Sequence, residues 1–328
     1  MEIEITENLK GTKLNIWKQF LEKAGIEADN LINQTVLVWD NGELVATGSR
    51  YESILKCIAV DESRRGEDIT ATVLTALRQN AFGDGHRHLF LYTKPENRDM
   101  FASLFFYTVA QTEKVLLMEN RCDGIREFLS QLPAAENGEN VGSIVMNANP
   151  FTLGHRYLVE KAAGECDKVY VFVLSEDKSE FSAADRMEMV KRGVSDLQNV
   201  TILPTGPYLI SSATFPAYFL KERDKVPEIQ CLLDIEIFTQ YFVPRFKITH
   251  RYVGTEPLSP MTDMYNEALR SNLPEKGIEF RELPRIDKNS APISASKVRA
   301  LLVAGETDAA RELVPETTFD YLQTKGLL

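Results

Sequence analysis

The chain has 328 residues, of which 44% are hydrophobic and 26% charged, with a net charge of −11. Those proportions describe one or two globular domains with a sizeable core. The acidic balance excludes a broad electrostatic grip on nucleic acid or anionic lipid, though it allows a basic pocket inside an acidic shell.

The N-terminus, Met1-Glu2-Ile3-Glu4-Ile5, lacks the basic start and apolar core of a signal peptide, and no apolar run is long enough to span a bilayer. A cytoplasmic protein without membrane contact is expected. Thr35–Trp39 is rich in β-branched and aromatic residues and predicts a strand. Asp40-Asn41-Gly42-Glu43 predicts a tight turn, and Leu44–Gly48 the returning strand. Ile54–Val60 predicts a third strand, Asp68–Ala81 an amphipathic helix, and His88–Thr93 a further strand. Trp17 and Trp39 read as core or interface aromatics. His86 and His88, with no Cys or carboxylate partner nearby, read as a solvated turn and not a metal pair.

This meander followed by strand–turn–helix–strand resembles the acetyltransferase fold known as GNAT. In that family the turn carries Gln/Arg-x-x-Gly-x-Gly/Ala and holds the pyrophosphate of acetyl-CoA on main-chain amides. Here the turn is Ser63-Arg64-Arg65-Gly66-Glu67-Asp68. Gly66 is present, but both ends depart, and an aspartate facing a pyrophosphate repels it. A GNAT-like fold is expected ahead of an active acetyltransferase.

Ser130–Asn140 is polar, holds one Pro and one Gly and has no apolar period, so it reads as a linker between domains at 1–135 and 141–328. Beyond it the pattern alternates between strands and helices. Ser143–Met146, Lys168–Leu174, Val200–Leu203 and Ile248–Val253 predict strands, and His155–Ala163 and Ala183–Gly193 predict helices. The continuous apolar run at Lys168–Leu174 suits a strand buried on both faces of a parallel sheet. The fold class is therefore α/β: a GNAT-like α+β domain, then a doubly wound parallel sheet with ligands at its carboxyl edge. His250 reads as a satisfied core residue. Cys57, Cys122, Cys166 and Cys231 form no CxxC pair and read as buried reduced thiols.

Asn147–His155 leaves a buried strand and opens a helix. Gly154 permits close backbone approach, the helix start offers N–H groups to a phosphate, Thr152 adds a hydroxyl, and His155 lies in the first turn. Thr152-Leu153-Gly154-His155 resembles the signature of the (His/Thr)-x-Gly-His nucleotidyltransferase superfamily. Pro292-Ile293-Ser294-Ala295-Ser296-Lys297-Val298-Arg299 resembles its second signature, Ile-Ser-x-Ser/Thr-x-x-Arg. Lys178–Arg186 resembles its Lys-x-x-Phe-(x)3-Glu/Asp-Arg segment. The resemblance implies that His155, Lys178 and Arg299 are catalytic. It further implies that Asn147, Asn149, Thr152, Gly154, His155, Arg186, Gly254, Glu256, Ser294, Ser296 and Arg299 bind ATP. Glu256 either contacts the ribose or base or caps the next helix. No acidic metal cage is visible, so Mg²⁺ is expected to arrive on the phosphates and water.

The whole chain resembles the citrate lyase ligase family, which joins a GNAT-like domain to a nucleotidyltransferase domain. Its matching segments include Met146–Arg156, Ile210–Leu220 and Tyr252–Pro257. The resemblance implies a ligase that joins acetate to AMP with release of pyrophosphate. The acetyl group then passes to the thiol of a phosphoribosyl-dephospho-CoA arm on the acyl-carrier subunit of citrate lyase. The alternatives are an adenylyltransferase joining AMP to a phosphorylated small molecule, a nucleotide sensor without turnover, and an active acetyltransferase.

Overall fold

The computed structural model describes residues 1–64, 66–134, 139–177, 179–209, 218–220, 225–255, 260–288 and 291–328. The chain forms two compact units. The first is Met1–Gly124 with Phe215–Ile229, and the second is Ile125–Thr214 with Gln230–Leu328. The division thus falls at Gly124/Ile125, ahead of the polar stretch at 130–140, and the chain returns to the first unit once more.

The first unit contains β1 (Glu2–Thr6), α1 (Gly11–Lys23), β2 (Gln34–Asp40), β3 (Glu43–Tyr51), β4 (Ile54–Val60), α2 (Ile69–Gly83), β5 (Phe90–Thr93), α3 (Arg98–Ser103), β6 (Tyr107–Gln111) and β7 (Leu116–Glu119). The strands form one seven-stranded sheet in the order β1-β2-β3-β4-β5-β7-β6. Only β4 and β5 run parallel, paired at Ile54↔Phe90 and Leu55↔Leu91. Val73, Leu74 and Leu77 of α2 pack on Val36, Val38, Ala46, Leu55 and Leu91 of the sheet. The meander and its crossover helix match the arrangement that the GNAT resemblance implies. Trp17 is buried and donates to Thr47 Oγ1 at 3.1 Å, and Trp39 donates to Glu4. His88 departs from the sequence expectation: its Nε2 lies 2.6 Å from Oε2 of the buried Glu119, so it has a carboxylate partner brought from β7. Cys122 is exposed, while the other three cysteines are buried.

α4 (Gly124–Ser130) leads into the second unit. There follow β8 (Val141–Met146), α5 (Leu153–Glu165), β9 (Lys168–Val173), α6 (Ala183–Gly193), β10 (Val200–Pro204), α7 (Val226–Ile237), α8 (Val243–Phe246), β11 (His250–Gly254), α9 (Pro260–Asn272) and β12 (Glu279–Leu283). The chain ends with β13 (Asp287–Lys288), β14 (Ala291–Pro292), α10 (Ala295–Val303), α11 (Thr307–Arg311) and α12 (Glu316–Thr324). A π-helical turn, Phe238–Phe242, joins α7 to α8.

The five-stranded sheet has the order β10-β9-β8-β11-β12, with every pair parallel. Strand alternation explains why β9 is apolar throughout. Val169, Val171 and Val173 join the core built with α5, α6 and α12. Tyr170 and Phe172, on the other face, meet Phe242 and Phe246. Helices therefore cover both faces, as in a doubly wound sheet. The central strands β8 and β11 pair only at His250↔Gly142 and Arg251↔Ser143. Strand order reverses there, so a crevice opens toward their carboxyl ends, where such folds bind ligands.

Candidate functional site

Two loops border that crevice. One leaves β8 as Asn147–Thr152, and the other leaves β11 at Gly254–Thr255. The β8 loop is held from behind by Arg186 of α6, which is fully buried. Its Nε donates to Phe181 O (3.1 Å), and its Nη1 to Asn147 O (3.0 Å), Asn147 Oδ1 (2.7 Å) and Leu174 O (2.8 Å); its Nη2 bonds Glu176 O. Five acceptors surround the guanidinium, three of them sharing the two N–H groups of Nη1. Arg186 therefore lies behind the nucleotide loop and shapes it, where the sequence suggested a nucleotide contact. Asn149 Oδ1 accepts from the Phe181 amide at 3.1 Å, and Asn149 O accepts from Arg299 Nη1 at 2.6 Å. Asn147 Nδ2 donates to Ser179 Oγ at 3.0 Å. Ala148 sits at φ +51°, a left-handed conformation costly for alanine.

Thr152 is the N-cap of α5. Its hydroxyl receives the His155 amide at 3.4 Å, and its own amide donates to His155 Nδ1 at 3.0 Å. This capping box determines the tautomer: with Nδ1 accepting, the ring proton lies on Nε2. Phe151 stacks on the imidazole with centroids 5.8 Å apart. Burial, and after it the positive charge of Arg285, push the His155 pKa from 6.5 down to about 4. The imidazole is therefore neutral at physiological pH and offers one N–H.

Across the crevice, Ser294 caps α10, accepting from the Lys297 amide at 3.2 Å, and its Oγ lies 3.1 Å from Ser296 Oγ. The starts of α5 and α10 converge on a cavity of about 320 Å³. Thr152, Gly154, His155, Gly254, Ser294 and Ser296 line it together with Tyr157, Leu158, Leu283, Pro284, Arg285, Ile293 and Ala295. These described lining residues include a cation and no carboxylate, in a chain of net charge −11. Two helix N-termini and a guanidinium among its described lining give the cavity a potential that favours an anion. Its apolar end, formed by Leu158, Leu283 and Pro284, suits a base. Lys178, Arg65, Glu256 and residues 210–217 lie outside the described residues.

The sequence pattern gave no signal for Arg285. Its Nε donates to Thr255 O at 2.8 Å and its Nη1 to Ile293 O at 3.3 Å, while its amide donates to Thr255 Oγ1 at 3.1 Å.

In the first unit, β4 and β5 separate after Leu55 and Leu91, opening a cleft of about 610 Å³. Tyr218 forms part of its wall. The side chain is buried, its OH donates to Tyr92 O at 2.9 Å, and its carbonyl accepts from the Glu27 amide at 2.8 Å. Arg64 lines the cleft but is paired with Asp40 and Glu67, each at 2.8 Å.

A capped helix start carrying a neutral histidine, opposite a serine-capped helix at the switch point of a parallel sheet, defines a nucleotide-binding domain of the nucleotidyltransferase type. The model of the citrate lyase ligase C-terminal domain matches residues 141–322. The chain is 41% identical over 310 residues to [Citrate [pro-3S]-lyase] ligase of Klebsiella pneumoniae, covering 93% of this chain and 91% of that one. It is 37% identical over 328 residues to the protein of the same name from Escherichia coli strain K12, covering 98% and 92%. A structure of Thermotoga maritima TmcAL bound with alpha-thio ATP overlaps 57% of this chain and 55% of that one, at 15% identity and a TM-score of 0.35. The chain belongs to the citrate lyase ligase family.

Proposed function

We propose that this enzyme uses ATP to activate acetate as acetyl-adenylate and then acetylates the prosthetic thiol of the citrate lyase acyl-carrier subunit in the cytoplasm. The observation that carries this is the cavity between the starts of α5 and α10, whose described lining includes a guanidinium and no carboxylate, in a chain of this family. An acetate oxygen attacks the α-phosphorus, a P–O bond forms, and the bond to pyrophosphate breaks. The thiol then attacks the acyl carbon, loses its proton, and AMP leaves. Acetate is already the nucleophile, so no strong general base is required.

His155 Nε2–H, the amide end of α5, and the hydroxyls of Ser294 and Ser296 would donate to the phosphates, with Lys178 near the α-phosphate. Arg299, tied to Asn149 O, would bring its charge to the same loop. Among the described residues no group of three or more His, Cys, Asp or Glu could hold a metal ion, so Mg²⁺ would ride on the nucleotide. It would neutralise charge on the departing pyrophosphate.

Exchange of labelled pyrophosphate into ATP tests the proposal: exchange that requires acetate is expected. Exchange that requires a phosphorylated cosubstrate instead would establish the adenylyltransferase alternative. The cleft of the first unit supports a second role, recognition of the CoA-like arm along the separated strand edges. Substituting Arg64 and Arg65 should raise the KM for the carrier without impairing acetate-dependent exchange; an unchanged KM argues against that role.

A further inference from the structure

Arg186 shapes the β8 loop, yet it springs from the first turn of α6, the part of a helix whose amides lack main-chain partners and which frays first. Side chains hold that turn instead. Ser182, the N-cap, accepts from the Asp185 amide at 3.1 Å and donates back to Asp185 Oδ2 at 2.5 Å. Asp177 Oδ1 accepts from the Ala183 amide at 2.7 Å. The second carboxylate oxygen, Asp185 Oδ1, accepts from the hydroxyl of Tyr321 at 2.6 Å. Tyr321 comes from α12, 136 residues further along the chain. Its ring is 5% exposed and shares a core with Met189 and Val190 of α6, and Arg192 lies 4.8 Å over it. Those contacts need only the ring, and phenylalanine would serve them. The hydroxyl adds a bond to a carboxylate, roughly twice as strong as a neutral one.

Asp185 and Arg186 are consecutive, so the first turn of α6 is gripped from two sides. Asp185 is held by α12, while Arg186 reaches Asn147 O and Asn147 Oδ1. Phe181, just before the cap, gives its amide to Asn149 Oδ1 at 3.1 Å and its carbonyl to Arg186 Nε at 3.1 Å. A shift of this turn therefore moves both asparagines of the loop that leads to Thr152 and His155. We propose that Tyr321 is a positioning residue for the reaction at the α-phosphate: its hydroxyl, through Asp185, fixes the first turn of α6 and with it the Asn147–Thr152 loop. Tyr321 is not among the residues lining the cavity and acts only through this chain of bonds. The proposal rests on the nucleotide-site assignment above and adds to it a residue of the C-terminal helix.

Two measurements on the full-length protein test this. Y321F keeps the ring and removes one hydroxyl. In hydrogen exchange, the amides of Phe181, Ala183 and Asp185 are expected to open about tenfold more often in Y321F, while those of Met189 and Val190, later in α6, keep wild-type protection. Unchanged protection at the three amides overturns the tether. An equal loss at Met189 and Val190 would make Tyr321 a stabiliser of the whole helix, and overturns the proposal as well. In pyrophosphate exchange at saturating ATP and acetate, the rate should fall about tenfold in Y321F with little change in acetate KM. D185N should lose a similar amount, and the double variant should be no slower than D185N, because both changes break one link. Losses that multiply in the double variant, or a wild-type rate in Y321F, overturn the positioning role. If Y321F does not fold, D185N supplies both readouts from the other end of the bond. Hydrogen exchange needs no turnover, so a wild-type enzyme without acetate-dependent exchange would refute the proposed reaction while the amides still decide the tether. ATP affinity, expected to fall several-fold in Y321F, then decides the positioning role.

Discussion

Phe151 lies against Gly193 so closely that a Cβ on the glycine would sit 2.4 Å from the ring. Gly193 ends α6, and Phe151 is fully buried beneath the loop that carries Thr152 and His155. The absent side chain lets the loop settle onto the helix. G193A must displace the ring that stacks on His155, and overpacking of this kind costs about 1–3 kcal/mol. Urea unfolding should show that loss together with weaker ATP binding. Unchanged values for both would mean the ring has somewhere else to go.

Gly154 should respond in the opposite way. An added Cβ meets Ile293 O and Thr152 Oγ1, both at 3.6 Å, and Ile293 Cβ at 3.9 Å, all ordinary contacts, and its backbone is helical. Alanine favours a helix by up to about 1 kcal/mol over glycine. G154A is therefore expected to melt at or above the wild-type temperature while ATP affinity falls about tenfold or more, because the methyl enters the space a phosphate would take. Calorimetric binding beside a thermal melt separates the two effects. Wild-type affinity would remove Gly154 from the site.

Arg251 of β11 is 3% exposed, and its Nε and Nη1 have no hydrogen-bond partner among the described residues. It rests 4.8 Å from the centroid of Phe238 in the π-helical turn, and the Asp234 carboxylate acts on its charge from nearby. Replacing a poorly paired buried ion with an apolar side chain is often neutral or stabilising. R251M should stay within about 1 kcal/mol of wild type or exceed it. A denaturant titration of the variant checks this. A larger loss in R251M would show that the guanidinium is better satisfied than its geometry indicates.

Tyr218 contributes one hydroxyl bond to the wall of the first-unit cleft. Y218F removes it, at about 1 kcal/mol. Acetate-dependent exchange should be unaffected, while the KM for the acyl carrier should rise. A changed exchange rate with an unchanged carrier KM would move Tyr218 to the activation step.

The parallel sheet was legible because burial on both faces writes continuous apolar runs such as Lys168–Leu174, and α6 was readable over Ala183–Gly193. β1 was not. Glu2–Thr6 alternates charged residues with isoleucines that stay 44–47% exposed, and only its pairing with β2, Ile3↔Val38 for example, makes it a strand. His88 looked solvated for the same reason, since Glu119 reaches it from a distant strand. Arg186 carried a readable warning: it shares a helix face with Met189, Val190 and Gly193, all buried, so helical spacing already turned it inward. Arg285 carried none, because it lies in no motif and depends on two carbonyls that only the folded chain brings together.

Tyr218 is encoded between β10 and α7 yet packs within the first unit. The polypeptide is thus stitched through that unit twice, and inheritance of the two halves is linked. A recombination event with its breakpoint near residue 124 would import a foreign first half that meets the wrong stitch. Productive exchange between lineages should carry residues 215–229 along with the N-terminal segment, or not occur at all.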